Sequence, residues 1–258
     1  IQAPRLLQGL HSLILTSRLT DKVVAVSEST RKEILSITKI KPNKVVTIPN
    51  GVPIHRPSKN DCSSSAIQEL IPESSKFTLI SIGRLAPIKG FDDLLAIASH
   101  VIKQEKDCHF ILLGDGPLRD ELAGQAIKLN IEENIHFAGM RENVAELLAG
   151  ADMYISTSHS EGLALSLLEA MAASLPCVVT NVGGVKDVIR NGKNGIVLNQ
   201  RDHHIFAAEI LGLIDGPDTR KEFGQAARQT IIESYSEDIM CRKYQSLFLE
   251  LINKKDAR

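Results

Sequence analysis

The stretch MYISTSHSEGLALSLLEAMAASLPCVVT, residues 153–180, indicates the fold of this protein. A short apolar run, MYIS, leads through a polar loop, TSHSEG, into a mostly apolar helical pattern at 162–174. A second apolar run, PCVVT, follows at 176–180. Strands that are apolar throughout are typical of parallel sheets covered on both faces. The stretch therefore predicts a β-α-β unit, in which a helix connects two parallel strands.

The same alternation runs along the rest of the chain. Further strand-like runs are VVAV (23–26), VVTI (45–48), FTLISI (77–82), HFILL (109–113), NIHF (134–137) and GIVL (195–198). Helical patterns lie near 29–37, 91–104, 118–129, 142–149 and 185–190, and residues 203–253 show helical patterns only. We therefore predict an α/β fold with an open, doubly wound, Rossmann-like parallel sheet.

One domain boundary is visible in the composition. The segment PNGVPIHRPSKNDCSSS, residues 49–65, is rich in Pro, Asn, Gly and Ser, which is typical of a turn and linker. Two predicted strands precede it, too few to cover their own edges and faces, whereas six follow it. We expect residues 1–52 to be the end of a domain whose beginning lies outside this sequence. An intact domain is expected to follow.

Composition narrows the class of protein. Of the 258 residues, 43% are hydrophobic and 24% charged, which is typical of a globular protein, and the formal net charge of -1 offers no bulk attraction for nucleic acid. The four cysteines, Cys62, Cys108, Cys177 and Cys241, have neither C-x-x-C nor zinc spacing, and we expect a reducing cytoplasm. We find no signal peptide and no apolar run near 18 residues.

The loops that follow the strands are where ligands are expected, because open α/β sheets bind ligands at the carboxyl ends of their strands. The first such loop, in SIGRLAPIKGFDDLL (81–95), contains Gly83, Arg84 and Lys89. A lysine before a helix opposes the helix dipole unless an anion binds there, so Arg84 and Lys89 could clamp a diphosphate. The alternative, equally open on these residues, is a solvated lysine neutralised by Asp92 and Asp93.

Three other loops carry weaker signals. LLGDGPLRDELAG (112–124) has a G-x-G pattern, but Arg119 stands where a dinucleotide loop has its third glycine, so we interpret it as a structural turn. FAGMRENVAELLAGAD (137–152) and TNVGGVKDVIRNG (180–192) could bring exposed backbone close to a ligand, and an ordinary turn is the alternative for both.

The loop TSHSEG and the helix after it carry two glutamates in an apolar setting. Glu161 is expected at the mouth of the loop, with Gly162 letting a ligand approach the backbone and the free N–H groups near 162–165 seating an anion. Helical spacing predicts a polar stripe of Ser166, Glu169, Ala170 and Ala173. This stripe faces either a wet cleft or bulk solvent.

Several catalytic motifs are absent from the sequence. There is no G-x-S-x-G, no H-E-x-x-H, no P-loop lysine and no D-x-D that would hold a metal near phosphates. The histidines have no metal-ligand spacing, and we expect His203 and His204 at the surface of a helix. We therefore predict neither a metal site nor a cofactor.

Taken in order, these segments resemble glycosyltransferase family 4, whose members are retaining enzymes of the GT-B fold. The resemblance spans nearly the whole chain, and its most specific part is E-G-x-x-L-x-x-x-E followed by AMA, P-x-V-x-T and GG. It implies that residues 1–52 end an acceptor domain and that residues 53–235 bind a nucleotide sugar. It also implies that residues 236–258 form a helix packing back towards the acceptor domain.

The resemblance also implies roles for individual residues. Arg84 and Lys89 would hold the donor diphosphate and neutralise it as leaving group, with Gly83 beside them, and Glu161 would contact the sugar. The backbone of Gly162, Leu163, Ala164 and Leu165 would line the sugar and phosphate. Glu169 would accept hydrogen bonds from both ribose hydroxyls, and the backbone near Met140 would meet the base. The catalytic residues implied are Glu161, Arg84 and Lys89.

The activity implied is sugar transfer, with retention, from a UDP- or GDP-linked donor to a glycan or lipid-linked acceptor hydroxyl. The family often has an aromatic residue and a glycine where this chain has Leu163 and Ala164. We expect the acceptor site and any peripheral association with the inner face of the membrane to depend on the absent half, and the fragment alone to be inactive. The alternatives are a non-catalytic nucleotide-sugar-binding module and a nucleotide-sugar epimerase of the same fold.

Overall fold

The computed structural model of the protein describes residues 20–54, 63–199 and 202–256. Within them the strands are β1 (Val23–Ala25), β2 (Val45–Thr47), β3 (Phe77–Ile82), β4 (Cys108–Leu113), β5 (Ile135–Gly139), β6 (Met153–Ser156), β7 (Cys177–Thr180) and β8 (Ile196–Leu198). The α-helices are α1 (Glu28–Ile37), α2 (Ser63–Gln68), α3 (Phe91–Ile102), α4 (Arg119–Lys128), α5 (Val144–Gly150), α6 (Leu165–Ala172), α7 (Val185–Val188), α8 (His203–Asp215), α9 (Pro217–Ser234) and α10 (Glu237–Asp256). All eight predicted strands are confirmed to within two residues.

The described strands form two parallel sheets. β1 pairs with β2, and the larger sheet has the order β5-β4-β3-β6-β7-β8. In the larger sheet the chain proceeds outward from β3 to β5, returns to the centre, and then proceeds from β6 to β8. The order therefore reverses between β3 and β6, where Leu79 lies opposite Met153 and Ile80 opposite Tyr154. This reversal is the topological switch point, at which open α/β sheets bind their ligands.

Both faces of the larger sheet are buried, which explains why its strands are apolar throughout. Leu79 and Phe110 point into one hydrophobic cluster, which is covered by α3, α4 and α8. Ile80, Ile111 and Tyr154 point into a second cluster, covered by α5, α6 and α9. The alternation of neighbouring residues between the two clusters follows the two-residue period of a strand. The predicted doubly wound α/β fold is confirmed.

The predicted linker at 49–65 differs from the structure at both ends. The Val52 N–H donates to Tyr235 O at 3.0 Å, and the Glu237 N–H donates to Val52 O at 3.0 Å, so this part of the segment is fixed against the start of α10. At the other end α2 begins at Ser63, and its buried Ala66 and Ile67 join the second cluster. The intervening residues 55–62 lie outside the described ranges.

The last helix, α10, lies beside the two-stranded sheet. Ile239 and Leu247 of this helix line a cavity of about 530 Å³ together with Val46 and Ile48 around β2. This arrangement places α10 next to residues of the 1–52 segment. The assignment of that segment to an acceptor domain, and of 53–235 to a donor domain, remains a prediction.

Candidate functional site

Two loops meet at the switch point, one after β3 and one after β6. The His159 N–H donates to Ile88 O at 2.8 Å, and the Thr157 hydroxyl donates to Gly90 O at 2.7 Å. Gly90 adopts a φ of 63°, and a Cβ there would lie 2.2 Å from Thr157 O, so only glycine fits between the loops. The two sequence segments that carried the strongest signals are therefore in direct contact.

The contact brings Lys89 and Glu161 together. Lys89 Nζ lies 2.5 Å from Glu161 Oε1, and the Ser158 hydroxyl donates to the same oxygen at 2.9 Å. The side chains are 23% and 16% exposed, respectively, so this ion pair is partly shielded from water. The alternative in which Asp92 and Asp93 neutralise Lys89 is wrong, because the partner of Lys89 is Glu161.

Arg84 stands at the same edge of the sheet and is exposed to solvent. Within residues 20–54, 63–199 and 202–256, no carboxylate forms an ion pair with it. Gly83 beside it leaves room for the aliphatic stem of Lys89, since a Cβ there would lie 3.3 Å from Lys89 Cδ. The sheet edge therefore offers one exposed guanidinium and one paired ammonium.

The G-x-G turn after β4 packs closely against the backbone of the loop that carries Arg84. A Cβ on Gly114 would lie 2.1 Å from Gly83 O, and one on Gly116 would lie 2.4 Å from Leu85 O. The Leu85 N–H also donates to Asp115 O at 3.0 Å. The glycines thus allow two backbones to pack closely, as the interpretation of this segment as a structural turn requires.

Helix α6 begins at Leu165, three residues later than the pattern predicted. Its free N–H groups are therefore those just after Ala164, its N-cap residue, rather than those of 162–165. Leu163 is buried at 6% exposure, Ala164 is half-buried, and Leu165 is half exposed. The carbonyl of Leu163 already accepts a hydrogen bond from the Asn50 side chain at 3.1 Å.

Glu169 lies one turn into α6 and is half-buried. Burial raises the pKa of its carboxyl, and no side chain in the described ranges donates a hydrogen bond to it. The rest of the predicted polar stripe does not face water in the same way, because the Ser166 hydroxyl is 2.9 Å from the Tyr154 hydroxyl and Ala170 is fully buried. Glu169 is therefore a half-buried carboxylate to which no described side chain donates a hydrogen bond.

The backbone around Gly162 is covered by the chain itself. A Cβ on Gly162 would lie 3.2 Å from Val26 Cγ2 and 3.6 Å from Thr30 Oγ1, so the missing side chain makes room for Val26, just before α1, and for Thr30 in its first turn. Gly162 O also accepts the Gly184 N–H at 2.7 Å. Gly162 remains half-exposed, and the approach of a ligand to its backbone remains a prediction.

Met140 follows β5 and is 80% exposed. β5 is the edge strand, separated from β3 by β4, so Met140 lies at the periphery of the same sheet edge. The Gly114 N–H donates to Gly139 O at 2.9 Å, which ties this loop to the G-x-G turn. The structure therefore groups Lys89, Glu161 and Gly83 closely and sets Met140 apart from them.

Sequence reasoning missed an Asp–His cluster behind the two loops. Asp93 accepts hydrogen bonds from His159 Nε2 and His203 Nε2, both at 2.7 Å and each on a different oxygen. Partial burial disfavours its charge, but these hydrogen bonds outweigh it and lower the pKa of Asp93. His203 begins a helix as predicted, and its side chain is 29% exposed, but its hydrogen bond to Asp93 was not visible in the sequence.

One group of described side chains has a spacing that could hold a metal ion. Among the described side chains, Asp92, Asp93 and His159 are the set whose ligand atoms lie within 4.8 Å of one another, but both oxygens of Asp93 are occupied by histidines. The prediction of no metal site remains a prediction. No helix within the described ranges combines the length and apolarity that crossing a membrane requires.

Two models of known protein families match this chain. A family model described as glycosyl transferases group 1 matches residues 64–230, and one described as Glycosyltransferase Family 4 matches residues 4–56. The first of these includes both loops of the candidate site and α6.

Individual relatives are longer than this chain. N-acetyl-alpha-D-glucosaminyl L-malate synthase of Bacillus anthracis is 30% identical over 90% of this chain and 60% of the relative. Poly(ribitol-phosphate) alpha-N-acetylglucosaminyltransferase of Staphylococcus aureus is 29% identical over 88% of this chain and 43% of the relative. The chain thus spans about half the length of the curated relatives it matches.

A solved structure extends the comparison to three dimensions. The S. aureus protein TarM, crystallised with fondaparinux, alpha-GlcNAc-glycerol and UDP, superposes with a TM-score of 0.81 at 28% identity. The match covers 93% of this chain and 46% of TarM.

Proposed function

The chain belongs to the glycosyl transferases group 1 family, and we propose that residues 53–235 bind a nucleoside diphosphate sugar as the donor for glycosyl transfer to an acceptor hydroxyl. The observation that carries this proposal is the Lys89–Glu161 pair beside Arg84 at the topological switch point. The two cations suit the diphosphate of such a donor. The carboxylate suits the hydroxyl groups of its sugar.

The diphosphate would lie against Arg84 and Lys89. Arg84 is exposed and can form a bidentate contact with phosphate oxygens, whereas Lys89 supplies a point charge. When the bond between the sugar and the diphosphate breaks, negative charge develops on the departing phosphate. Two fixed cations at that position stabilise the charge without rearranging, which lowers the barrier to transfer.

Glu161 and Glu169 would divide the remaining polar contacts. Glu161 is held by Lys89 and Ser158 and would accept hydrogen bonds from hydroxyls of the donor sugar. Glu169 would accept hydrogen bonds from the ribose hydroxyls. A carboxylate that lies half-buried with no donor from the described residues gains most from such a ligand, because its desolvation is otherwise uncompensated.

The relatives suggest the donor and the stereochemistry. Two have N-acetylglucosaminyl transfer in their names, and the TarM structure contains UDP. We therefore take UDP-N-acetylglucosamine as the first donor to test. The names specify alpha products, which corresponds to retention if the donor sugar is alpha-linked. The acceptors named for the relatives differ, so the acceptor here is proposed only as a hydroxyl of a glycan, lipid-linked or small molecule.

Calorimetry with UDP, GDP and ADP, each alone and as its sugar conjugate, tests the proposal directly. We expect UDP-N-acetylglucosamine to bind more tightly than UDP, and both to bind more tightly than the ADP compounds. Failure of the chain to bind any nucleotide sugar would overturn the proposal. Incubation of the donor without acceptor, followed by analysis for an epimer, separates this function from that of an epimerase.

A further inference from the structure

Asp93 connects three parts of the molecule through its two oxygens. Asp93 itself lies in the first turn of α3, His159 lies on the loop that carries Glu161, and His203 begins α8. Both imidazoles donate through Nε2 at 2.7 Å, one to each carboxylate oxygen. The Asp93 side chain is 12% exposed, so its charge depends on these two donors.

We propose that Asp93 is a positioning residue for Glu161, acting through His159. The proposal rests on the proposed function, because it takes Glu161 as the contact for the donor sugar. Asp93 fixes the His159 ring, the ring fixes the loop at 157–161, and the loop sets the Glu161 carboxylate against Lys89. Asp93 itself does not touch the donor.

The loop has few other attachments to the β3 side of the site. The hydrogen bonds between the described parts of these loops that involve the backbone include His159 N–H to Ile88 O, and Thr157 Oγ1 to Gly90 O and, at 3.5 Å, to Lys89 O. Of the residues that make these ties, His159 is nearest to Glu161 along the chain. A change in the Asp93–His159 bond is therefore transmitted over only two residues to the Glu161 carboxylate.

Packing around Gly90 makes the position of the ring specific. A Cβ on Gly90 would lie 2.9 Å from His159 Nε2, so the ring lies directly over the backbone of the turn that follows Lys89. The His159 ring thus contacts the loop that carries Lys89, while the His159 backbone belongs to the loop that carries Glu161. Rotating His159 away from Asp93 alters both sides of the Lys89–Glu161 pair.

An aspartate is required here by the number of acceptors. Both histidines donate, so the group between them must accept twice, and a carboxylate has two acceptor oxygens. In Asp93→Asn one oxygen becomes an NH₂ donor, and one of the two histidines must lose its bond or change tautomer. Asp93→Asn therefore preserves the shape of the side chain but weakens the hydrogen bonding that positions the histidines.

The chain supplies its own matched control. His159 and His203 bond to the same carboxylate at the same distance, with side chains 31% and 29% exposed. Only His159 lies on the Glu161 loop. Losing either histidine removes one charge-assisted bond from Asp93, but only His159→Ala releases Glu161.

The first measurement needs no ligand. Hydrogen exchange of the amides at 157–162 is compared among wild type, Asp93→Ala, His159→Ala and His203→Ala. We expect faster exchange in the first two variants and rates within about twofold of wild type in His203→Ala. Equal changes in all three variants, or no change in His159→Ala, would overturn the positioning role. Asp93→Asn repeats the comparison if Asp93→Ala does not fold.

The second measurement is the ratio of affinities for UDP-N-acetylglucosamine and UDP, which isolates the contribution of the sugar. His159→Ala and Asp93→Ala should lower this ratio roughly tenfold, the scale of one hydrogen bond to a charged group, and His203→Ala should leave it unchanged. An unchanged ratio in His159→Ala overturns the inference while leaving the proposed function intact. If wild type binds no nucleotide sugar, the proposed function fails, and the exchange measurement still decides whether Asp93 positions the loop.

Discussion

Lys89 Nζ and Glu161 Oε1 lie 2.5 Å apart although the residues are 72 positions apart in the sequence. They meet because β3 and β6, the strands that precede their loops, are neighbours at the centre of the sheet. In the unliganded protein each neutralises the other. A donor diphosphate would therefore bring a second anion to Lys89, and the sugar would bring new donors to Glu161.

Substituting the two partners should separate nucleotide binding from sugar binding. We expect Lys89→Met to weaken UDP binding roughly 10- to 150-fold, corresponding to the loss of about 1.5–3 kcal/mol from a hydrogen bond to a charged group. Glu161→Gln preserves shape and removes a negative charge from beside the phosphates. It should leave UDP affinity unchanged or higher and abolish the extra affinity of the nucleotide sugar.

Calorimetry with UDP and with UDP-N-acetylglucosamine measures both effects. Equal weakening of UDP binding by the two substitutions would contradict the division of roles between Lys89 and Glu161.

Arg84→Ala should weaken binding of UDP but not of uridine, because only the former has a diphosphate for the guanidinium. Arg84 is exposed, so the expected loss is roughly tenfold, at the lower limit for a charged hydrogen bond, and it should shrink at high salt. Lys128→Ala is the control, since this exposed cation ends α4 at the opposite edge of the sheet. Equal losses for UDP and uridine would exclude a diphosphate clamp.

Glu169→Gln should stabilise the unliganded protein and weaken its binding of UDP. Burial raises the pKa of Glu169 from its usual 4.5, so the folded state binds the proton more tightly than the unfolded state does. The charged carboxylate therefore costs stability above its raised pKa, and the cost disappears as the pH falls below 4.5. Thermal melts should show a higher Tm for the variant at neutral pH and convergence with wild type in acid.

The exposed Glu121 provides the control for this substitution, because Glu121→Gln removes the same charge from a solvated position. A lower Tm for Glu169→Gln than for wild type at neutral pH would show that the carboxylate has a stabilising partner.

The fold was largely predictable from the sequence because buried parallel strands have a direct compositional signal. Runs such as FTLISI and HFILL are apolar on both faces, and the structure places alternate residues in two different clusters. Strand order has no such local signal. The Lys89–Glu161 pair depends on that order, which is why each residue was identified as a candidate but their ion pair was not predicted.

The errors in the candidate site have a similar origin. Leu163 and Ala164 fit a helical pattern, but the Leu163 carbonyl is bound by Asn50 from a distant segment, and α6 starts later. The packing of Val26 and Thr30 beside Gly162 was likewise not visible in the sequence, because these residues come from a distant segment. The short helix α2 was missed because its Ser-rich sequence has only two apolar residues, Ala66 and Ile67.

Gly183→Ala should be more damaging than Gly192→Ala, although both glycines have positive φ. The φ values are 49° and 72°, so each substitution carries the left-handed backbone cost of roughly 1–2 kcal/mol. A Cβ on Gly183 would also lie 1.7 Å from Glu161 O, whereas nothing lies within 4 Å of one on Gly192. Urea unfolding should show a clearly larger loss for Gly183→Ala, together with weaker donor binding because the Glu161 backbone is displaced. Equal losses of stability in the two variants would show that the Glu161 loop can shift away from the new Cβ without cost.

The protein should lose stability in mild acid through the histidine pair on β4 and β5. His109 Nδ1 lies 2.9 Å from His136 Nε2, and burial, with a smaller contribution from the charge of His109, lowers the pKa of His136 to about 4. The unfolded chain, with an ordinary histidine pKa of about 6.5, binds the proton more tightly in this range. The contribution of His136 to stability is therefore fully present above pH 6.5 and is lost as the pH falls towards about 4.

His136→Gln should flatten the dependence of the free energy of unfolding on pH in this window, measured by urea titration at several pH values. An unchanged pH dependence in His136→Gln would show that the acid sensitivity arises elsewhere.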